Sequence, residues 1–401
     1  MALTSASAPV VLVGFAEAFA AIEAIWSLQR AGMRVVMFSR AGTRPAARAM
    51  KGAEVREIRS PELDLHGSLD DLAKTIQRVA PDAILPLDDA SLWMTSRVDL
   101  HGAVLVGPTP IGAAFALNKA DQITAAVREG IRVPTTVVFA DVAEVTVHDD
   151  SWPVILKPAD AVLQIGNSLV RPQGRICASP AELDTARSVM RPGTVLAQQL
   201  VSGSGEGLFG FAGDHGPEAW SAHRRVRMLN PHGSASSACE SMEVDDDLRT
   251  RVSAMLTTLS WRGLFMAEFL TDASGTAWFM ELNGRAWGSL ALARRRGFEY
   301  PSWAVQSALG LPQHPLPPLT PPRIVARHLG REIGHLGFVL RGPQTTAPSA
   351  WPSTGRTVRS LMTIGRSDRL YNWDPRNPRV LAADTWRTLA DLTARRGRKP
   401  A

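Results

Sequence analysis

The sequence predicts an α/β protein that begins with a Rossmann-like domain and continues into a two-lobed α+β region. Three observations support this prediction. Strand and helix patterns alternate over residues 10–106, further buried strands begin near Val154, and an apolar hairpin spans residues 264–282. Alternating strand–helix–strand units are typical of parallel sheets, whereas hairpins belong to antiparallel ones.

The N-terminal domain is predicted from a regular succession of short apolar runs and helical patterns. Its first unit is a strand at Val10–Val13, a helix over residues 16–31 and a strand at Arg34–Phe38. The pattern continues with a helix near 68–79, a strand at 83–87, a helix near 90–98 and a strand at 103–106. We therefore place a Rossmann-like domain at residues 1–112.

The first strand–helix turn argues against dinucleotide binding. It reads Gly14-Phe15-Ala16-Glu17, with one glycine where the GxGxxG fingerprint needs three. Bulky Phe15 and acidic Glu17 would crowd and repel a pyrophosphate at a helix N-terminus. A scaffold role for this domain is therefore favoured over NAD(P) binding.

Composition excludes several classes of protein. The chain has 401 residues, with 44 Lys+Arg against 38 Asp+Glu, a net charge of +6, and 45% hydrophobic residues. It can therefore bury a large core, and wholesale disorder is excluded. The basic excess is arginine spread along the whole chain, which gives no support for a nucleic-acid partner. Cys177 and Cys239 lie far apart, which argues against a disulfide framework or a zinc site.

The most apolar N-terminal stretch, Val10–Leu28, contains Glu17 and Glu23 and follows no basic region. Neither a signal peptide nor a membrane span has this pattern. We expect a cytoplasmic protein with no membrane partner.

The hairpin at 264–282 carries the strongest chemical signal. If Thr271 and Thr276 flank its loop, Glu268 faces Phe279, and Glu281 lies on the same face as a diagonal neighbour of Glu268. Two carboxylates among apolar residues are costly to bury unpaired. Mg²⁺ takes one or two carboxylates together with phosphate oxygens, so a metal site would resolve this cost. The solvated face of an amphipathic hairpin is equally compatible with the alternation.

Other polar residues favour the metal interpretation. Asn283 continues the parity of Glu281, and Arg285 follows with a guanidinium that can hold a carboxylate or phosphate bidentately. Lys157 ends a buried strand and Lys119 opens a helix, in a chain that has only five lysines. Either lysine could still be an ordinary surface residue.

The segment His223–Arg227 is a basic strand pattern that includes Arg225. It would face polyanionic phosphates or form a solvated edge strand, and the sequence does not separate these two interpretations.

Taken in order, these segments resemble the ATP-grasp superfamily. Asn118-Lys119 with the helix after it looks like the first nucleotide-binding segment, and Val154–Pro158 looks like the strand whose lysine contacts the ATP phosphates. The resemblance assigns the hinge that meets the adenine to Gln198, Gln199, Leu200 and Val201, and a ribose-binding acid to Glu206. It assigns the metal-binding residues to Glu268, Glu281 and Asn283, and the arginine that steadies the reacting carboxylate or acyl phosphate to Arg285.

The resemblance also implies a domain organisation. A pre-ATP-grasp domain would span 1–112, a small lid subdomain 113–195, a C-terminal subdomain with the metal site 196–310, and a Pro-rich linker with a C-terminal extension 311–401. Residues 159–168 depart from the family pattern, because they contain a single glycine where many relatives have a glycine-rich loop over the phosphates. Residues 311–401 would cover the active site, form a homodimer contact or wrap the core.

The implied activity is a biosynthetic ADP-forming ligase that uses ATP with Mg²⁺ or Mn²⁺. It would phosphorylate a small carboxylate to an acyl phosphate, which a small amine then attacks. Lys157 and Arg285 would be catalytic, and Lys119, Lys157 and Arg225 would contact ATP. The expected substrate contacts are Arg227, Trp287, Gly288 and Ser289, the last three at the start of a helix expected from Ala286.

Two other functions remain open from the sequence. One is a bicarbonate-activating ATP-grasp enzyme that carboxylates or carbamoylates. The other is a nicotinamide-dependent oxidoreductase or a non-catalytic nucleotide-binding protein built on the N-terminal domain.

Overall fold

A five-stranded parallel sheet forms the N-terminal part of the computed structural model, which describes residues 8–108, 110–231, 236–312, 321–343 and 351–397. Its elements are β1 (Val10–Gly14), α1 (Ala21–Arg30), β2 (Arg34–Arg40), β3 (Glu54–Ile58), α2 (Leu65–Val79), β4 (Ala83–Pro86), α3 (Asp89–Thr95) and β5 (Val104–Leu105). The strand order is β3-β2-β1-β4-β5. The predicted Rossmann-like fold is confirmed.

The first helix begins later than the sequence pattern predicts, at Ala21 rather than near Ala16. It ends before Gly32, whose φ of +78° favours glycine. The segment between Gly14 and Ala21 leaves the sheet at the carboxyl end of β1. In open α/β sheets ligands bind at this edge.

A four-stranded antiparallel sheet follows, with the order β10-β7-β11-β6. This region contains α4 (Pro110–Ala116), α5 (Lys119–Arg128), β6 (Thr136–Phe139), β7 (Val154–Pro158), β8 (Leu163–Ile165), β9 (Ser168–Val170), β10 (Arg175–Cys177), α6 (Pro180–Val189) and β11 (Val195–Gln199). Strands β8 and β9 form a separate hairpin. It begins within residues 159–168, the stretch that contains a single glycine.

The third sheet has seven strands in the order β16-β15-β12-β13-β14-β17-β18. Its region contains β12 (Ser204–Gly213), β13 (Gly216–Met228), β14 (Ser236–Met242), α7 (Asp246–Thr258), β15 (Gly263–Thr271), β16 (Ala277–Asn283), α8 (Leu290–Arg295), α9 (Tyr300–Ala308), β17 (Val325–Arg327), α10 (Leu329–Arg341), α11 (Thr354–Met362), β18 (Asp368–Leu370) and α12 (Arg379–Gly397). The C-terminal segment therefore adds two strands to this sheet. Strand β13 is interior, so the alternative of a solvated edge strand at His223–Arg227 is wrong.

A buried ionic cluster joins the N-terminal domain to the C-terminal segment. The Glu23 carboxylate on α1 is 2% exposed and pairs with Arg294 and Arg295 of α8. It also accepts the backbone N–H of Asn372 at 3.0 Å. An unpaired carboxylate would be strongly unfavourable at this depth, so the three segments depend on one another.

The proline-rich stretch expected to act as a linker lies mostly in residues 313–320, outside the described residues. Among the helices that are described, none combines the length and the apolar character needed to cross a membrane.

Candidate active site

Glu268 and Glu281 face each other directly across β15 and β16. The predicted pairing of Glu268 with Phe279 is wrong, because a β-bulge gives β16 one extra residue, Met280. Phe279 consequently pairs with Phe269, and both rings are buried. Since a bulge re-aims a strand, it places the two carboxylates side by side rather than diagonally, on the face opposite to the two rings.

The loop end of the hairpin also differs from the prediction. Thr271 pairs with Ala277, so Thr276 belongs to the loop. There its backbone N–H donates to the Asp272 carboxylate at 3.0 Å, as does the Trp278 indole at 2.7 Å. The loop is thus closed by an aspartate whose hydrogen bonds hold the start of β16 in place.

Two glycines of β12 clear the face on which the acids lie. Gly207 pairs with His223 on one side and with Glu268 on the other. A Cβ at Gly207 would come within 2.9 Å of His223 Nε2, and one at Gly205 within 2.6 Å of Arg225 Cδ. Arg225 therefore crosses over Gly205, and its guanidinium donates to the Glu268 carboxylate.

The donor set formed by Glu268, Glu281 and Asn283 fits a cation shared with phosphate oxygens. Asn283 Nδ2 lies 3.4 Å from Glu268 Oε1 and 3.3 Å from Glu281 Oε1. Rotating the amide by half a turn would present its oxygen instead. Among the described residues, no three His, Cys, Asp or Glu side chains gather into a metal site. A pair of carboxylates completed by substrate oxygens is the pattern preferred by Mg²⁺.

Lys119 approaches the acid pair from α5, a helix that packs against β16. It is the first residue of α5, whose N-cap Asn118 accepts hydrogen bonds from the backbone N–H groups of Ala120 and Asp121. Its Nζ lies 3.8 Å from Glu281 Oε2. Burial raises the pKa of Glu281, but the positive charge of Lys119, together with that of an arginine beyond it, outweighs burial and leaves the pKa below its usual value.

Lys157 lies at the end of β7, in the four-stranded sheet. Its ammonium donates to Gln198 Oε1 at 2.7 Å and lies 3.8 Å from the sulfur of Met280 at the bulge. Burial lowers the pKa of Lys157, and nearby Glu281 opposes this only in part. An anion placed beside Lys157 would restore its ordinary basicity.

The predicted hinge connects β11 to β12. Gln198 is buried and its amide also donates to Thr136 Oγ1 at 2.9 Å, whereas Gln199 is exposed. Leu200 and Val201 follow the end of β11 and are half-buried. The Leu200 backbone N–H donates to the Pro153 carbonyl at 3.3 Å, whereas Val201 lies between β11 and β12 and pairs with no strand.

Glu206 is not brought together with the metal-site residues. It has the opposite parity to Gly207 along β12, and its carboxylate is held by Arg224 Nε at 2.9 Å and Thr271 Oγ1 at 2.7 Å. Arg227 is also held elsewhere, by Glu332 of α10 at 2.8 Å. Both residues are engaged in the structure, and their proposed ligand contacts stay predictions.

Arg285 follows the hairpin and reaches the N-terminal domain. It makes a bidentate pair with Asp89, at 2.9 and 3.4 Å, and Arg171 lies 3.8 Å from the same carboxylate. Burial alone would raise the pKa of Asp89, but Arg285 outweighs it and the pKa falls below its usual range. The sequence analysis missed Asp89. Its position directly after β4, at the carboxyl end of a parallel strand, was the available signal.

The segment after Arg285 is more buried than expected. Helix α8 begins at Leu290 rather than at Ala286. Trp287 is fully buried against Phe209, with ring centroids 4.9 Å apart. Ser289 hydrogen-bonds the buried His223 at 2.5 Å. Burial, followed by the charge of a neighbouring arginine, lowers the pKa of His223 to about 3, so this imidazole is neutral.

A cavity of about 710 Å³ borders Glu268, Glu281 and Arg285, whereas Lys119, Lys157 and Asn283 are not among its lining residues. Its walls come from the segment after β1, the start of α3, the hairpin acids, residues 285–289 and the inward face of α12. They include Glu17, Phe19, Asp88, Asp89, His223, Glu268, Glu281, Arg285, Gly288, Arg331, Asp384, Arg387 and Asp391. Described residues of the C-terminal segment, on α10 and α12, therefore form one wall of this cavity, and the expected homodimer contact stays a prediction.

No protein-family model matches the chain, and no curated protein sequence matches it. The structure is similar to that of N5-carboxyaminoimidazole ribonucleotide synthetase in its ADP complex, with a TM-score of 0.60 and 14% identity over 88% of this chain and 96% of that one. It is also similar to biotin carboxylase from Campylobacter jejuni, with a TM-score of 0.59 and 15% identity over 77% and 72% of the two chains. An L-amino acid ligase from Bacillus licheniformis gives a TM-score of 0.55 and 17% identity over 76% and 75%. The chain therefore has the fold of the ATP-grasp superfamily, which the order of its sequence segments predicted.

Proposed function

We propose that this chain is an ADP-forming ligase that activates a carboxylate with ATP and joins it to an amine. One observation carries the proposal: Lys119 at the start of α5 and Lys157 at the end of β7 face Glu268 and Glu281 of the hairpin, with Lys119 Nζ 3.8 Å from Glu281. Two cations and two carboxylates opposed in this way suit a polyphosphate with its cation. The similarity to solved ligases of the same fold agrees with this arrangement.

The chain's own residues account for the steps. The substrate carboxylate attacks the γ-phosphorus of ATP, and the bond to the leaving ADP oxygen breaks. Mg²⁺ held by Glu268, Glu281 and Asn283 would supply charge neutralisation on the phosphate oxygens. Lys119 and Lys157 neutralise further oxygens, and Arg285, fixed by Asp89, holds its guanidinium beside the reacting group.

In the second step the amine attacks the acyl carbon, phosphate leaves, and the amine proton is released. An acyl phosphate hydrolyses when water reaches it, so the site must be enclosed. The cavity walls contributed by the N-terminal domain and by α12 provide such an enclosure.

Bicarbonate activation is the competing reaction within the same fold. The cavity of about 710 Å³ has room for an organic substrate, which the ligase reaction requires. Nicotinamide binding is disfavoured because Phe15 is fully buried and Glu17 occupies the turn where a pyrophosphate would lie.

Two measurements test the proposal. Calorimetry should show Mg-ATP binding and no NADH binding, and ADP release should require a carboxylate and an amine together. Tight NADH binding without Mg-ATP binding would overturn it. ADP release stimulated by bicarbonate alone would replace it with the carboxylating alternative.

A further inference from the structure

Helix α12 turns an unusual face toward the cavity. The inward residues, spaced as one face of a helix, are Asp384, Arg387, Thr388, Asp391 and Leu392. A helix that packs on a domain normally presents an apolar stripe at this spacing. Here four of the five side chains are polar, and the helix leaves a cavity in front of them instead of filling it.

Most charged groups of this cavity have partners within the protein. Asp384 receives Asn372 Nδ2 at 2.9 Å and lies 2.9 Å from His328 Nε2. Asp88 lies 3.6 Å from Arg40. These pairs make up the walls, and their charges are already compensated.

Two buried polar atoms in the cavity lining, one on α12 and one on the segment after β1, lack hydrogen-bond partners. Arg387 Nη1 is buried without an acceptor, and Asp391, one turn along the same helix, lies 3.6 Å from Arg387 Nε. Glu17 Oε2 is buried without a hydrogen-bond donor and lies 3.7 Å from Arg40 Nη1, while Thr43 and the Arg40 backbone N–H donate to its other oxygen. Buried polar groups without hydrogen-bond partners are rare in folded proteins and call for an occupant. A guanidinium and a carboxylate that line the same cavity complement a zwitterion.

The position of Arg387 decides which carboxylate it would hold. Helix α12 packs against the short 3-10 helix Ala46–Ala49 and against α10, away from the hairpin that carries Glu268 and Glu281. The carboxylate that reacts must lie beside the phosphate, and so beside those acids. A carboxylate on Arg387 is one that does not react.

We infer that the amine substrate is an amino acid, with its carboxylate bound by Arg387 and its amino group directed toward Glu17. This inference rests on the proposed function and names the class of its acceptor. Helix α12 then selects the acceptor, while the hairpin and the two lysines handle the phosphate. The apolar residues that line the same cavity, Phe19 and Leu392 among them, would contact the amino-acid side chain.

The first test needs no mutation. The full-length protein with Mg-ADP is titrated in a calorimeter with a panel of L-amino acids and with their C-terminal amides, which lack the carboxylate charge. At least one free amino acid should bind about 10- to 100-fold more tightly than its amide, the range for losing a hydrogen-bonded ion pair. Equal binding of acid and amide, or no binding by any amino acid, would overturn the inference.

The second test uses Arg387→Met and the matched control Arg379→Met, which removes the same charge from an exposed position on the same helix. Arg387→Met should weaken binding of the free amino acid by about 10- to 100-fold, without changing binding of its amide or of ATP. The control should bind as the wild type does. A uniform loss for acid and amide would show a structural role and refute the assignment.

Arg387→Lys provides a check should the methionine variant fold poorly, because it keeps the positive charge and should restore part of the preference for the acid.

The outcomes also separate this inference from the proposed function. ADP release with simple amines but with no amino acid would refute the acceptor class alone. Absence of ADP release with every acceptor would refute the ligase proposal, whereas the calorimetric comparison would still decide the role of Arg387.

Discussion

Replacing Glu281 by Gln should remove metal binding and leave the fold intact. In the folded protein the Glu281 carboxylate lies 3.8 Å from Lys119 Nζ and directly opposite Glu268. Unit charges at about 4 Å interact by about 4 kcal/mol when the effective dielectric constant is about 20. Burial of the Glu281 carboxylate and the repulsion by Asp89 oppose the attraction to Lys119 and offset most of it. The free energy of unfolding should therefore change by about 1 kcal/mol or less.

The effect on a divalent cation is different, because both carboxylates attract it. The charge of two doubles the single-charge figure, and desolvation offsets part of the gain. We expect a loss of at least about 3 kcal/mol in the affinity for Mg²⁺, equivalent to about 100-fold. ADP release should fall by at least about the same factor at a Mg²⁺ concentration that half-saturates the wild type.

The assay is coupled ADP release measured over a Mg²⁺ titration, with urea unfolding measured in parallel without metal. Glu243→Gln is the matched control, since that side chain is 85% exposed just after β14 and should leave both quantities unchanged. Wild-type turnover by Glu281→Gln at the same Mg²⁺ concentration would refute the assignment of the hairpin. A large loss of stability would instead show that the interactions of the Glu281 carboxylate in the folded protein do not offset one another.

Three further predictions concern pH, backbone clearance and the buried ionic cluster. Burial holds the pKa of Lys157 in the folded protein below its unfolded value near 10.5. At pH values between these two pKa values the unfolded chain binds more protons than the folded protein, so the free energy of unfolding rises with pH in that range. Lys157→Met should abolish that rise and raise the melting temperature at neutral pH, while ADP release falls by about 100-fold or more. Gly205→Ala should displace Arg225 and lower Mg-ATP affinity, as measured by calorimetry. Glu23→Gln should lower the free energy of unfolding in urea by about 3 kcal/mol or more, because Arg294 stays buried without its partner.

Two of these predictions have a matched control variant, and the third has an outcome that would contradict it. Gly355→Ala adds a methyl group where nothing lies within 4 Å and should leave ATP binding unchanged. Glu54→Gln breaks an exposed pair with Arg34 and should cost less than about 1 kcal/mol. A melting temperature lowered by Lys157→Met would mean that the ammonium is stabilised rather than strained.

The fold was predictable where local patterns are sufficient. The strands and helices of the N-terminal domain follow from runs that each encode one element, and the parallel order follows from their alternation. Strands β17 and β18 were missed because three residues each are too few to show an alternation. The two strands pair in parallel, and this pairing depends on a crossover through α10 and α11 that no local pattern reports.

The hairpin register was mispredicted for a physical reason. Strict alternation puts Phe279 and Glu281 on one face, but burying the ring and opening the carboxylate to the cleft requires opposite faces. The bulge at Met280 satisfies both needs. Glycine occupies every second position over 203–207. Because side chains alternate between the two faces of a strand, this spacing predicts a strand with one face free of side chains.

The cavity walls were the hardest part to foresee. Asp384 and Arg387 look like the solvated face of a terminal helix when read alone, and only the packing of α12 turns them inward. The two lysines were found because their scarcity made them conspicuous in the sequence.

The walls of this cavity come from the beginning, the middle and the end of the chain. A polypeptide still on the ribosome can complete its first sheet and its hairpin long before the residues of α12 have been synthesised. In that interval the phosphate-handling residues would exist without an enclosure, and any acyl phosphate would be lost to water. For the ligase proposed above, productive turnover would therefore begin only when α12 docks, so synthesis of the chain and onset of that chemistry would be coupled in time.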